Sequence, residues 1–248
     1  MTTQLIENLQ AMERTAEQYR SNLSDTIQNK LKWRARHVRH ALHVLPKEQV
    51  LEIGAGSGIW TEKLAREFRS ELPITAACFN DDLAAKLREK NLQGTSVVNV
   101  RDFADLPDES FDYVVGATVL CHNRYAELLQ EIHRVLKPSG QFIFFEDNCW
   151  NTQLRLKRFF PSLSGMLPYP SCKLAIPTYK FMKNASQLGF IHLDVTPWDL
   201  LPSFLPDALT RFLANKVYAF EHAPIIKNLC GTVSMWGRKP GDEEKRRP

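Results

Sequence analysis

Paired cysteines are missing from this chain: Cys78, Cys121, Cys149, Cys172 and Cys230 are odd in number and far apart. Without a C-x-x-C there is no basis for a zinc knuckle or a dithiol redox motif, so no metal site is expected and a reduced, cytoplasmic setting is. Long hydrophobic runs are missing too. No stretch reaches the roughly 20 apolar residues of a membrane-spanning helix, and an N-terminus with Glu7, Glu13 and Glu17 among polar neighbours lacks the apolar segment of a secretion signal. Nor does one sign of charge dominate, since 32 basic and 28 acidic residues leave a net charge of +4. With no basic cluster interleaved with aromatics, no nucleic-acid partner is expected. The basic segment 30–43 reads as a solvated helix face.

What the chain does have is enough apolar material, 44% of 248 residues, for one well-buried α/β domain. Residues 5–45 are helix-formers without internal Pro or Gly, which predicts two helices, or one broken helix, ending before Pro46; 1–46 reads as an N-terminal helical lid. From Gln49 onward short apolar runs alternate with helical stretches. The runs are Val50–Ile53, Ile74–Cys78, 96–100, 113–117 and 141–145, and the helices 61–68, 82–90 and 125–135. Strand and helix in alternation predict a right-handed, doubly wound parallel sheet with its ligand at the carboxyl ends of the strands. After 145 the rhythm breaks. Segment 150–229 carries prolines and many large apolar residues around a helix near 178–188 and a strand at 190–195. A last strand follows at 232–236, and the charged tail 239–248 is expected to be disordered.

The most informative stretch is Val50-Leu-Glu-Ile-Gly-Ala-Gly-Ser-Gly-Ile-Trp, which puts Gly54, Gly56 and Gly58 between a strand and a helix. Glycines there permit a tight turn and let a ligand approach the backbone with no Cβ in the way. A Walker loop is excluded because no Gly-Lys-Ser/Thr follows. A dinucleotide fingerprint is disfavoured because Ile59 stands where the third glycine of G-x-G-x-x-G belongs.

Glu52-Ile-Gly-Ala-Gly-Ser-Gly resembles motif I of the class I S-adenosylmethionine-dependent methyltransferases, of the small-molecule, type 11-like group. Asp102-Phe-Ala-Asp-Leu-Pro-Asp-Glu-Ser-Phe-Asp-Tyr-Val-Val resembles the region leading into the family's fourth strand, and Arg134-Val-Leu-Lys-Pro-Ser-Gly the stretch before the fifth. The resemblance implies a Rossmann-like, mixed seven-stranded sheet whose last strand is antiparallel. It gives a domain over 47–238, with an inserted cap at about 150–229, and S-adenosylmethionine as cofactor. Carried over by position, it makes Glu52 the acid facing the methionine ammonium, and it gives Gly54, Gly56 and Gly58 the role of backbone access. It gives Asp102 and Phe103 the adenine, and Thr118 the methionine portion. One departure stands out: the acid that the family uses for the ribose hydroxyls is replaced by Cys78, so either Asn80 or Asp81 reaches back to the ribose or the ribose is held less well and affinity falls. That gap also counts against a nicotinamide cofactor.

Methyl transfer needs alignment, exclusion of water and, for a protonated acceptor, a base. His122, directly after the fourth strand, is the candidate base. The apolar surplus in the cap predicts a small, largely hydrophobic acceptor, methylated at oxygen; a carbon or nitrogen acceptor, or a non-catalytic binding protein of the same fold, are the alternatives.

Overall fold

The computed structural model describes residues 2–21, 25–69, 71–120, 122–148, 175–198 and 230–244. Two helices come first, α1 (Thr2–Arg20) and α2 (Asp25–Ala41), followed by β1 (Val50–Ile53), α3 (Ile59–Glu67), β2 (Ile74–Cys78), α4 (Asp81–Glu89) and β3 (Thr95–Asn99). A short 3-10 turn, Phe103–Asp105, leads into β4 (Phe111–Ala117), α5 (Tyr125–Val135) and β5 (Leu136–Asp147). Then come α6 (Thr178–Gln187), β6 (Ile191–Trp198) and β7 (Thr232–Arg238). The seven strands form one sheet in the order β3-β2-β1-β4-β5-β7-β6. All neighbours pair in parallel except β7, which runs antiparallel to both β5 and β6. This is the Rossmann-like architecture that the strand and helix alternation and the resemblance predict.

The reasons are local. All four residues of β1 are buried, as a parallel strand covered on both faces requires. Helix α5 buries Leu128, Leu129, Ile132 and Val135, an i, i+1, i+4, i+7 stripe that turns one face to the sheet. On one side of the sheet Ile27, Leu31, Ala35, Val38 and Leu42 of α2 meet Trp60, Leu64 and Phe68, and the Trp60 indole N–H donates to the Leu31 carbonyl at 3.2 Å. On the other, Phe142 meets Phe190 edge-on at 4.8 Å and Phe181 at 6.2 Å. Phe181, within the segment 150–229 expected to form the cap, is therefore core.

Two expectations need correction. Within the basic segment 30–43, Lys30 and Arg34 are buried rather than solvated. The Arg34 guanidinium lies 5.7 Å from the centre of the Phe145 ring and donates to the Thr232 hydroxyl at 2.9 Å, so the cation is held by a ring face and a hydrogen bond. The tail does not loosen at 239. The buried Lys239 ammonium donates to the Leu136 carbonyl at 2.7 Å and to Glu109 at 2.9 Å, which ties 239–244 to the base of β5. The rest of the tail, and 149–174 and 199–229 of the cap, lie outside the described residues.

Register is what builds the site. Ile53 stands beside Ala77 on one side and Gly116 on the other, and Ala117 stands beside Phe145. The chain therefore leaves β1, β2, β4 and β5 at one level, and their exits face one crevice.

Candidate functional site

Gly54, Gly56 and Gly58 have φ of 72°, 61° and 79°, a left-handed run that side chains resist. At Gly54 a Cβ would lie 2.7 Å from Val119 Cγ1, so the loop and the exit of β4 are pressed together. That exit is itself strained. Thr118, a β-branched residue, has φ 59°, a conformation that costs on the order of 1–3 kcal/mol. It is fixed from β5: Thr118 N–H donates to the Phe145 carbonyl at 2.8 Å, and the buried Glu146 carboxylate accepts from Val119 N–H at 2.8 Å and Leu120 N–H at 3.0 Å.

The walls of the crevice carry a definite pattern of polar groups, made visible by what α1 brings to them. Helix α1 crosses the carboxyl ends of the strands, with Leu5, Ile6 and Leu9 joining the core of Phe79, Val119 and Leu120. The same face then turns charged. Arg20, 2% exposed, donates to the Gly54 carbonyl at 2.8 Å and to the Ala117 carbonyl at 2.8 Å. Glu13, 1% exposed, accepts from Gly56 N–H at 3.0 Å, Phe79 N–H at 3.1 Å, Asn80 N–H at 3.0 Å and Asn80 Nδ2 at 2.7 Å. Glu17 accepts from Ser57 N–H at 3.2 Å and from the Ser57 hydroxyl. Two carbonyls thus ask for a cationic donor, and the amides of the glycine loop and of the β2 exit ask for acceptors.

Glu52 lies below, fully buried, and neither of its carboxyl oxygens has a hydrogen-bond partner. Burial pushes its pKa up to about 7, against the opposing pull of the Arg20 guanidinium. Burial in turn lowers the pKa of Arg20, while Glu52, Glu17 and Glu13 raise it, and burial raises that of Glu13. Cys78 is fully buried, its thiol donating to the Gly56 carbonyl at 3.5 Å, and burial holds the thiol far above its ordinary range.

Of the residues singled out from sequence, Glu52, Gly54, Gly56, Gly58, Asn80 and Thr118 surround this crevice. Asn80 is turned towards α1: its Oδ1 accepts from Arg14 Nε at 2.8 Å, and its Nδ2 donates to Gln10 O at 3.2 Å as well as to Glu13. Asp81 points elsewhere, exposed and bonded to Asn99 Nδ2. Asp102 is the N-cap of the 3-10 turn, its carboxylate accepting from Ala104 N–H at 3.1 Å while Asp105 accepts from Asp102 N–H in return. The Phe103 ring is 2% exposed and packs beside Phe79 at 6.0 Å. His122 is buried, its Nδ1 accepting from Arg124 N–H at 3.1 Å, and burial lowers its pKa to about 4. The residues that sequence reasoning missed are Glu13, Glu17 and Arg20. For Glu13 and Arg20 a signal existed: α1 buries 5, 9, 13, 16 and 20, so two charges sit on the stripe where a helix that merely packs would be apolar. Among the described residues no group of His, Cys, Asp and Glu has the makings of a metal site, and no helix is long and apolar enough to cross a membrane.

Residues 51–144 match a family model described as a methyltransferase domain. The demethylmenaquinone methyltransferase of Staphylococcus epidermidis is 30% identical over 131 residues, 51% of this chain and 53% of that protein, so the chain matches about half the length of such curated relatives. Among solved structures, the Haemonchus contortus phosphoethanolamine N-methyltransferase 2 superposes with a TM-score of 0.58 at 16% identity, over 84% of this chain and 52% of the other. A methyltransferase of Archaeoglobus fulgidus does so with a TM-score of 0.57 at 18% identity, over 90% and 97%.

Proposed function

We propose that the protein, whose residues 51–144 match the methyltransferase-domain model, is an S-adenosylmethionine-dependent methyltransferase acting on a small, largely apolar acceptor. The observation that carries the cofactor reading is the buried, unpartnered Glu52 beneath a glycine loop whose carbonyls attract a cation. A cationic amino group over Glu52 would find the carboxylate and the Gly54 and Ala117 carbonyls, and acceptor atoms would find the amides of Gly56, Phe79 and Asn80. The residues present therefore fit such a ligand. When bound, S-adenosylmethionine supplies an activated methyl group; the chain's own part is to orient it and exclude water. Its ribose would be met without an acid on β2, since Cys78 faces the loop.

The test is calorimetric titration with S-adenosylhomocysteine. Binding is expected, and Gly56→Val should abolish it with an unchanged circular-dichroism spectrum, since a branched side chain at φ 61° would stand in the ligand's path. Preference for NAD would sink the assignment.

For the acceptor, support comes from the curated relatives, which are named for the substrate demethylmenaquinone. We assign the transfer to oxygen, with His122 as base. With Nδ1 engaged by Arg124 N–H, the neutral ring carries its proton on Nε2, so His122 acts as base only when that contact opens. Being active unprotonated, a base held near pKa 4 gives a rate that falls as pH drops through about 4 and is flat above 6. His122→Ala should cost about 10²–10⁴ in kcat while leaving S-adenosylhomocysteine affinity unchanged. A kcat indifferent to this change would point to a carbon or nitrogen acceptor that needs no base.

A further inference from the structure

We propose that α1 is an intramolecular plug of the cofactor crevice, whose Glu13, Glu17 and Arg20 hold the same backbone groups that the cofactor would take, so that binding requires α1 to lift. This rests on the cofactor reading above. The three side chains reproduce the ligand's charge pattern in the chain's own atoms: a cation on the Gly54 and Ala117 carbonyls, and carboxylates on the amides of Gly56, Ser57, Phe79 and Asn80. They also take its space. A Cβ on Gly56 would come within 2.8 Å of Glu17 Oε2, with Arg20 Nη1 and Glu13 Cγ at 3.7 and 3.8 Å, so the approach that glycine leaves open is filled from α1.

Stability alone is a poor reason for the arrangement. Buried charges are costly to desolvate, and apolar residues at 13 and 20 would continue the stripe of Leu5, Leu9 and Ala16 at no such cost. Side chains that match polar walls and leave Glu52 without a hydrogen bond suit a contact meant to be exchanged. Arg20 ends α1, and Asp25 begins α2, which is fastened to α3 through Leu31 and Trp60. Leu5, Ile6 and Leu9 would move with the helix and uncover Phe79, Val119 and Leu120, so opening exposes an apolar rim beside the crevice.

If the closed form dominates, the measured affinity is reduced by the fraction that is open, and removing the plug restores it. The full chain and its Glu13→Ala/Arg20→Ala variant are titrated with S-adenosylhomocysteine. The variant is expected to bind at least tenfold more tightly. Unchanged or weaker binding would overturn the plug, weaker binding meaning that α1 holds the cofactor instead. Binding by neither protein would overturn the plug together with the reading it rests on. Hydrogen exchange on the unaltered protein supplies a second readout that no folding defect can confuse: amides of 9–20 should lose protection when S-adenosylhomocysteine is added. Equal or greater protection overturns the proposal.

Discussion

Glu52 shows how one side chain links stability to the ligand. Its pKa is raised from 4.5 to about 7, so the folded state favours the protonated form, and the stability this provides is complete below pH 4.5 and lost as pH rises through 7. Urea unfolding should therefore show a loss on the order of 3 kcal/mol between pH 5 and pH 8. Arg20 opposes the loss, whereas Glu13, also raised, adds to it. Glu52→Gln should lose most of the pH dependence; a wild-type stability flat across this window would show that the carboxyl is already ionised at pH 5. At this scale the sequence was legible wherever a residue's role follows from its place on a strand exit. Glu52, the three glycines and Thr118 could be named because the resemblance assigns them by position, and the apolar runs of β1 and β4 fix where those positions fall. Partners contributed by distant segments could not be named. Whether Asn80 turns to a ribose or to Glu13 depends on a helix 66 residues or so earlier in the chain, and no local pattern encodes that pairing.

At the level of elements, periodicity located β1 to β7 and α3 to α6 to within a few positions, because burial on one or both faces dictates the spacing of apolar side chains, while it left 5–45 open between two helices and one broken helix and did not show the 3-10 turn Phe103–Asp105. The largest shift is β5, which begins at Leu136 and not at 141; the pairing register with β4 jumps between Phe111 and Tyr113, and this irregularity lets the Lys137-Pro-Ser-Gly stretch belong to the strand. Asp102 illustrates a role that two kinds of contact share. Its capping box with Asp105 holds the 3-10 turn that delivers Phe103 into the core beside Phe79. The same carboxylate is exposed and retains an oxygen for a ligand, so its loss would be felt in the turn as well as in any adenine contact. Helix α1 was legible as a helix and not as an occupant of the crevice. The periodic pattern marks which face is buried, while what covers that face depends on the tertiary path.

For the molecule as a whole, order in space departs from order in sequence at β7, the last strand of the chain, which inserts between β5 and β6. Until it arrives, one edge of β5 lacks a hydrogen-bonding neighbour, and β6 has no strand to pair with. Val233 and Met235 then complete the core, and Gly237 admits the Phe142 ring so closely that a Cβ there would fall 2.7 Å from its Cζ. Lys239, anchored on the Leu136 carbonyl, locks the strand's end to the start of β5. Contacts this distant along the chain form late, because the loop-closure entropy must be met before they contribute. We therefore expect a chain ending at 231 to retain helical circular dichroism but to lose cooperative unfolding in urea, with dye-binding apolar surface exposed along β5. Gly237→Leu, which keeps the full length and blocks the approach of Phe142 and Leu193, should weaken the native state by several kcal/mol through overpacking. A truncated chain that unfolds as one sharp transition would show instead that β1 to β5 and their helices are a self-sufficient unit, and that the closing strands serve only the cap they flank.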